Sequence, residues 1–279
     1  MRPGRFGVSR MGAERMASYL LIIVPCLRIV NFPSDLPSAA EGWTGSVRKA
    51  DSFEASCPRG FSSRRKSGIL KLKQNGRRPI RCGTIVFDMG NVLLRYSPVE
   101  IVRSVLGSHP REDDLVRAVF GAPEWSRLDE GVLTDGEAAA AMAARSPGLE
   151  REIRRVMADW PQGMRPVPGM EELVRTLKKQ GYGLYLLSNA SGRFHEYCAC
   201  FPVFSCFDGL HISADLRLLK PDPEIYRQVL ELHDLRPEES LFIDDLAENV
   251  AGARAAGMFG LRFTDEPRLR ADLEHMRLL

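Results

Sequence analysis

Regular patterning of hydrophobic and polar positions begins at Thr84. Thr84 to Phe87 is a continuous apolar, β-branched run, which predicts a strand buried on both faces of a parallel sheet. It ends in Asp88, where Met89-Gly90-Asn91 breaks the pattern. The texture then changes. Ile101, Val102, Val105 and Leu106 recur at helical spacing, and so do Leu115, Val116, Val119 and Phe120. Glu137 to Arg145 is rich in alanine, and Ile153, Val156, Met157 and Trp160 form another apolar stripe. These stripes predict about four helices inserted after the first strand, enough for a small lid. Trp125 and Arg127 fall in an irregular part of this insert and are its candidates for ligand contact.

Strands and helices alternate from there on. Pro168 to Gln180 reads as a helix with Gly181 as its stop, and Leu184 to Leu187 as a second buried strand running into Ser188-Asn189. Gly209 to Ile212 is a third strand, and Lys220 begins a helix faced by Ile225, Val229 and Leu232. Leu241 to Ile243 is a fourth strand, closed by Asp244-Asp245, and a helix from Ala247 to Ala256 leads to a fifth at Phe259 to Phe263. Strands separated by helices predict an α/β fold with a doubly wound parallel sheet.

Charge divides the chain. Residues 1–82 hold 16 Lys/Arg against 5 Asp/Glu, a net +11; the remaining 23 and 31 give residues 83–279 a net −8. The basic segment shows no sustained period and predicts a disordered extension. Its apolar run from Tyr19 to Cys26, ragged to Val30, is shorter than the roughly 20 residues that span a bilayer. A targeting segment or a nucleic-acid-binding arm would share this composition. Cysteines at 26, 57, 82, 198, 200 and 206 lack the density of a disulfide framework, which points to a reducing, cytoplasmic setting. His195, Cys198, Cys200 and Cys206 are close enough for a zinc site, but interleaved Phe201, Phe204 and Phe207 favour half-buried thiols.

Polar residues stand at the ends of three strands: Asp88, Ser188-Asn189 and Asp244-Asp245, with Lys220 between the last two. A parallel sheet gathers such ends along one edge. Three carboxylates there repel one another unless a cation lies among them, and hard oxygen ligands suit Mg²⁺. A hydroxyl, an amide and a lysine alongside suit a tetrahedral oxyanion such as phosphate.

Four ordered motifs, FDMGNVLL, LLSNAS, LKPDPEIY and LFIDDLAENVAGARAAG, resemble those of haloacid-dehalogenase-like (HAD) hydrolases over about residues 83–265. The resemblance implies a Rossmannoid core at 83–96 and 167–279 and a C1-type helical cap at 97–166. It implies Asp88 as nucleophile, forming an aspartyl-phosphate, and Ser188, Asn189 and Lys220 as the phosphoryl-binding group. Asp88, Asp245 and the Gly90 carbonyl would hold Mg²⁺, with Asp244 in support. One position departs from the family's phosphatases. They carry an acid–base Asp two residues after the nucleophile, where this chain has Gly90. The Asp-x-Gly-Asn pattern resembles a subgroup that includes sugar-phosphate phosphatases.

The expectation is therefore Mg²⁺-dependent hydrolysis of small phosphomonoesters such as sugar 1-phosphates, with a small-molecule ester as partner, no nucleic acid and no membrane span. A metal-independent 2-haloacid dehalogenase and a weakened phosphometabolite-binding protein are the alternatives. Without a positioned acid, rate should depend steeply on leaving-group basicity. A flat dependence would direct attention to His109 or Asp129 in the insert.

Overall fold

The computed structural model describes residues 68–70 and 80–279. The expectations for the remaining basic segment, including Cys26, Cys57 and the Tyr19–Val30 run, fall outside the described residues. Gly68–Leu70 (β1) and Ile80–Cys82 (β2) pair antiparallel. Cys82 is buried, and burial pushes its thiol up to about 11.

The centre is a parallel sheet of Thr84–Phe87 (β3), Gly183–Ser188 (β6), Gly209–Ile212 (β7), Ser240–Asp244 (β8) and Phe259–Arg262 (β9). Its order is β7-β6-β3-β8-β9, which puts the first patterned strand in the middle. Alternation along β3 serves two separate cores. Ile85 and Phe87 join one apolar cluster, while Val86 joins the other with Leu187, Tyr226, Val229 and Phe242. A strand covered on both faces needs apolar residues at every position, hence the unbroken run in the sequence. The doubly wound α/β architecture predicted from the pattern is the one observed.

Five helices, one more than predicted, follow β3: Pro98–Leu106 (α1), Glu112–Val119 (α2), Pro123–Asp129 (α3), Asp135–Arg145 (α4) and Glu150–Asp159 (α5). The additional helix is α3, whose seven residues bury only Glu124 and Leu128, too few to show a period. Pro123 fixes its first turn. Trp125 and Arg127, read as irregular, both lie on it. A capping box between Thr134 and Glu137 starts α4. Leu94–Arg95 (β4) pairs with Arg165–Pro166 (β5), so the chain enters and leaves the helical segment side by side. Two-residue strands carry no pattern, and the sequence gives no sign of them.

After β5 come Met170–Lys179 (α6), Phe194–Tyr197 (α7), Ser213–Leu216 (α8), Pro223–Leu232 (α9), Ala247–Ala255 (α10) and Glu266–His275 (α11). Lys220 does not begin a helix as expected. The helix starts three residues later at Pro223, capped by Asp222, whose carboxylate accepts from the Glu224 N–H at 2.9 Å. Pro221 and Pro223 each disfavour helical backbone at the residue before them, which leaves Lys220 in the preceding turn. No described helix is long and apolar enough to cross a membrane.

Candidate active site

Strand register assembles the site. Phe87 lies opposite Ile243 and next to Leu186, and the Asp88 N–H donates to the Ile243 carbonyl at 2.9 Å. Asp88 and Asp244 therefore leave their strands at the same level. Lys220 fills the space between them: its Nζ donates to Asp88 Oδ1 and Asp244 Oδ2, both at 2.7 Å. All three side chains are buried. Burial disfavours charge on Lys220, but Asp88 and Asp244 outweigh it and hold its pKa above the ordinary lysine value.

Asp244 is saturated. Its Oδ1 accepts from the Leu246 N–H at 2.8 Å, and Asn249 Nδ2 reaches both oxygens at 3.1 and 3.0 Å. Asn189, expected at a phosphoryl group, lines the cavity and turns its side-chain amide to the backbone of Lys220. Its Oδ1 accepts from the Lys220 N–H at 2.9 Å and its Nδ2 donates to the Lys220 carbonyl at 3.0 Å. A side-chain amide offers an acceptor and a donor side by side, so it holds both the N–H and the C=O of Lys220 and fixes the backbone from which the ammonium reaches. The Ser188 hydroxyl lines the adjoining cavity and has no hydrogen-bond partner among the described residues.

Asp88, Asp244 and Asp245 offer oxygens within 4.8 Å of one another. One lysine serves two of them. Burial pushes Asp88 up to about 6; Lys220 opposes this, and Asp244 adds to it. Burial and Asp244 also raise Asp245. Such a cluster fits a divalent cation held by hard oxygen donors. The Met89 carbonyl and the Asn91 N–H bond to Leu94, which leaves the Gly90 carbonyl between them outside the backbone bonding. Asn91 adopts a left-handed φ of 54°, which asparagine tolerates well. Its Oδ1 accepts from the Tyr96 N–H at 3.0 Å, and its Nδ2 donates to Asp245 Oδ2 at 3.4 Å. Asn91 thus ties the turn after Asp88 to the third carboxylate, a role the sequence reading missed.

The cavity over these groups, about 340 Å³, is walled by rings. Tyr96 and Phe120 stand 6.1 Å apart, Phe120 and Trp125 4.6 Å, Trp125 and Trp160 5.4 Å, and Trp160 and Tyr197 5.6 Å. Trp125, singled out in the sequence, lines this wall, as does Asp129. Arg127 and His109 are not among its lining residues. The His-Cys cluster does not gather. His195 Nε2 sits 2.9 Å from Asp215 Oδ2, Cys200 is exposed and Cys206 is buried.

A family model for haloacid dehalogenase-like hydrolases matches residues 82–257. The chain belongs to that family. Its relatives include a sesquiterpene phosphatase of Aspergillus oryzae, 29% identical over 181 residues, covering 64% of this chain and 89% of the relative. A phosphorylated carbohydrates phosphatase of Thermotoga maritima is 28% identical over 180 residues, 62% of this chain and 81% of the relative. Among solved structures, a variant of a HAD family enzyme of Bacteroides thetaiotaomicron, in complex with magnesium and inorganic phosphate, superposes with a TM-score of 0.55. It is 19% identical and covers 66% of this chain and 95% of its own. An L-2-haloacid dehalogenase of Xanthobacter autotrophicus shares the fold as well, with a TM-score of 0.52, 18% identity and coverage of 69% and 82%. The fold alone therefore does not separate phosphate from halide chemistry.

Proposed function

We propose that the protein is a Mg²⁺-dependent phosphomonoesterase that passes the phosphoryl group through Asp88. The observation that carries this is the charge arrangement: a buried lysine fixed between two carboxylates, with a third carboxylate beside them. Halide departs as a stable anion and requires no such cluster. A phosphoryl group brings spread negative charge that fixed positive charge can meet.

Asp88 attacks phosphorus and forms the aspartyl-phosphate. Lys220 restrains the attacking carboxylate and faces the charge of the transferring group. Ser188 donates its hydroxyl to a phosphoryl oxygen, and Asn189 contributes by holding Lys220. Asp88, Asp245 and the Gly90 carbonyl would hold Mg²⁺, which supplies positive charge against the phosphoryl oxygens when bound. Residues 97–166 would serve as a cap over a core of 83–96 and 167–279.

The ring wall favours an ester whose alcohol is apolar. Tyr96, Phe120, Trp125, Trp160 and Tyr197 offer broad carbon surface and few hydrogen-bonding groups. The relative named for sesquiterpenes is in keeping with this. Sugar 1-phosphates, expected from the sequence, form a second reading favoured by the carbohydrate-phosphatase relative.

A panel of prenyl, aryl and sugar phosphates, assayed with Mg²⁺ and with chelator, tests the proposal. Phosphate release should need Mg²⁺ and be fastest with apolar esters. Asp88→Asn should lower turnover at least about 10³-fold with the fold intact, since a nucleophile has no substitute. Asp245→Asn should mainly raise the Mg²⁺ concentration needed, so that excess Mg²⁺ partly restores it. Halide release without metal would establish the dehalogenase instead, and phosphate-ester binding without turnover would establish a binding protein.

A further inference from the structure

We propose that Asp129 is the proton donor and acceptor of this site, replacing from the helical segment the group that Gly90 lacks on the core. The inference rests on the phosphomonoesterase reading.

The core position is bare. A Cβ built on Gly90 would find only Asp88 Oδ2, 3.9 Å away. Other cavity groups are poorly suited to donate. Lys220 is shared by two carboxylates, and Asp245 belongs to the cation cluster. Burial and the nearby Asp129 push the Tyr96 and Tyr197 hydroxyls far above neutrality. Asp129 remains.

Its place is set by the core. Asp129 ends α3, and its carbonyl accepts from Ser213 Oγ at 2.5 Å. The same hydroxyl accepts from the Ala190 N–H at 3.0 Å, directly after Ser188-Asn189. Two residues beyond Asp129, Gly131 has a left-handed φ of 69° and lies against Ala214. A Cβ there would fall 2.4 Å from the Ala214 carbonyl. This end of α3 is therefore anchored beside the phosphoryl-binding loop.

The carboxyl itself makes no hydrogen bond or ion pair among the described residues. On the elements packed against it, Arg145 is engaged with Glu124, Glu137 with Thr134, and Asp215 with His195, and Arg127 and Glu130 beside it in the chain make no ion pair with it. Tyr96 and Tyr197 are the titratable groups that face it. Loss of hydration alone raises it to about 7, so both of its protonation states are available near neutral pH.

The proton balance closes over two steps. As Asp88 bonds to phosphorus, the P–O bond to the alcohol breaks and the Asp129 acid gives its proton to the leaving oxygen. Water then attacks the aspartyl-phosphate, Asp129 takes a water proton, and the P–O bond to Asp88 breaks. Inorganic phosphate leaves, and both carboxyls return to their starting states.

The test compares Asp129→Asn with wild type across esters of graded leaving-group pKa. In wild type, kcat/KM should change little along the series and fall for alkyl esters as pH rises past about 7. Asp129→Asn should lose roughly 10²–10⁴-fold on alkyl phosphates and far less on 4-nitrophenyl phosphate, whose oxygen departs unaided. Its alkaline limb should vanish, and its Mg²⁺ requirement should match wild type. Asp129→Ala serves if the first variant fails to fold. Equal loss on every ester, or no loss, overturns the assignment while leaving the Asp88 reading intact. No phosphate release from any ester, by wild type, overturns both.

Discussion

The strand-end cluster and the ring wall above it are built on opposite principles. In the cluster, charged groups are tied by directed hydrogen bonds, Lys220 and Asp244 more than once. Lys220 holds two carboxylates and is itself clamped by Asn189, and Asp244 is met by Lys220, Leu246 and Asn249. The wall has packing in place of such ties. Its rings meet edge to face or tilted, at 4.6 to 6.1 Å between centroids, and come from several elements. The cluster can impose one geometry on a phosphoryl group, and the wall can accept a range of apolar shapes. On the proposed reading, phosphoryl transfer falls to the cluster and choice of ester to the wall, with Asp129 the one wall residue that takes part in the chemistry.

Breaking the cluster should have the largest effect. Lys220→Met leaves Asp88 and Asp244 buried without their cation, which should cost about 3–5 kcal/mol of stability. Urea denaturation of the metal-free protein measures it, and a change under about 1 kcal/mol would mean that the tie is not electrostatic. Cutting the wall should act on binding instead. Trp125→Ala removes the ring between Phe120 and Trp160 and should raise KM for apolar esters about tenfold, or about 1.4 kcal/mol, with kcat little changed. Equal KM increases for sugar and apolar phosphates would show that the wall does not select.

A pH-dependent effect lies outside both regions. His211 Nε2 is 2.7 Å from His233 Nε2, and burial, aided by His233, lowers His211 to about 4. The folded state then prefers neutral imidazole, so this stabilisation is complete above the ordinary value of about 6.5 and fades as pH falls towards 4. Between pH 8 and pH 5 the loss should be roughly 2 kcal/mol. His211→Leu should remove that part of the pH dependence, read as the difference between the two proteins' denaturation midpoints. An unchanged slope would place the sensitivity elsewhere.

Sequence legibility follows the same division. Asp88, Ser188, Lys220 and Asp244-Asp245 stood out because each interrupts or follows an apolar run, and a parallel sheet brings such interruptions together. The supporting residues were harder to see. In the sequence Asn91 is one residue of a turn and Asn249 one polar position in a helix, and their partners are met only through the fold. Of the wall, only Trp125 stands out locally. Tyr96, Phe120, Trp125, Trp160 and Tyr197 span about a hundred residues, and aromatic residues at such spacing usually mean core. Asp129 was a candidate only because Gly90 created a need. Its anchoring through Ser213 and Gly131 is a tertiary fact.

Trapping the intermediate tests the central claim most directly. The protein is mixed with 4-nitrophenyl phosphate and Mg²⁺, quenched in acid during turnover and treated with borohydride, which reduces an aspartyl-phosphate to homoserine. Peptide mass spectrometry should find homoserine in place of Asp88 and nowhere else. Phosphate release with Asp88 unmodified at every quench time, or modification at another carboxyl, would contradict the account.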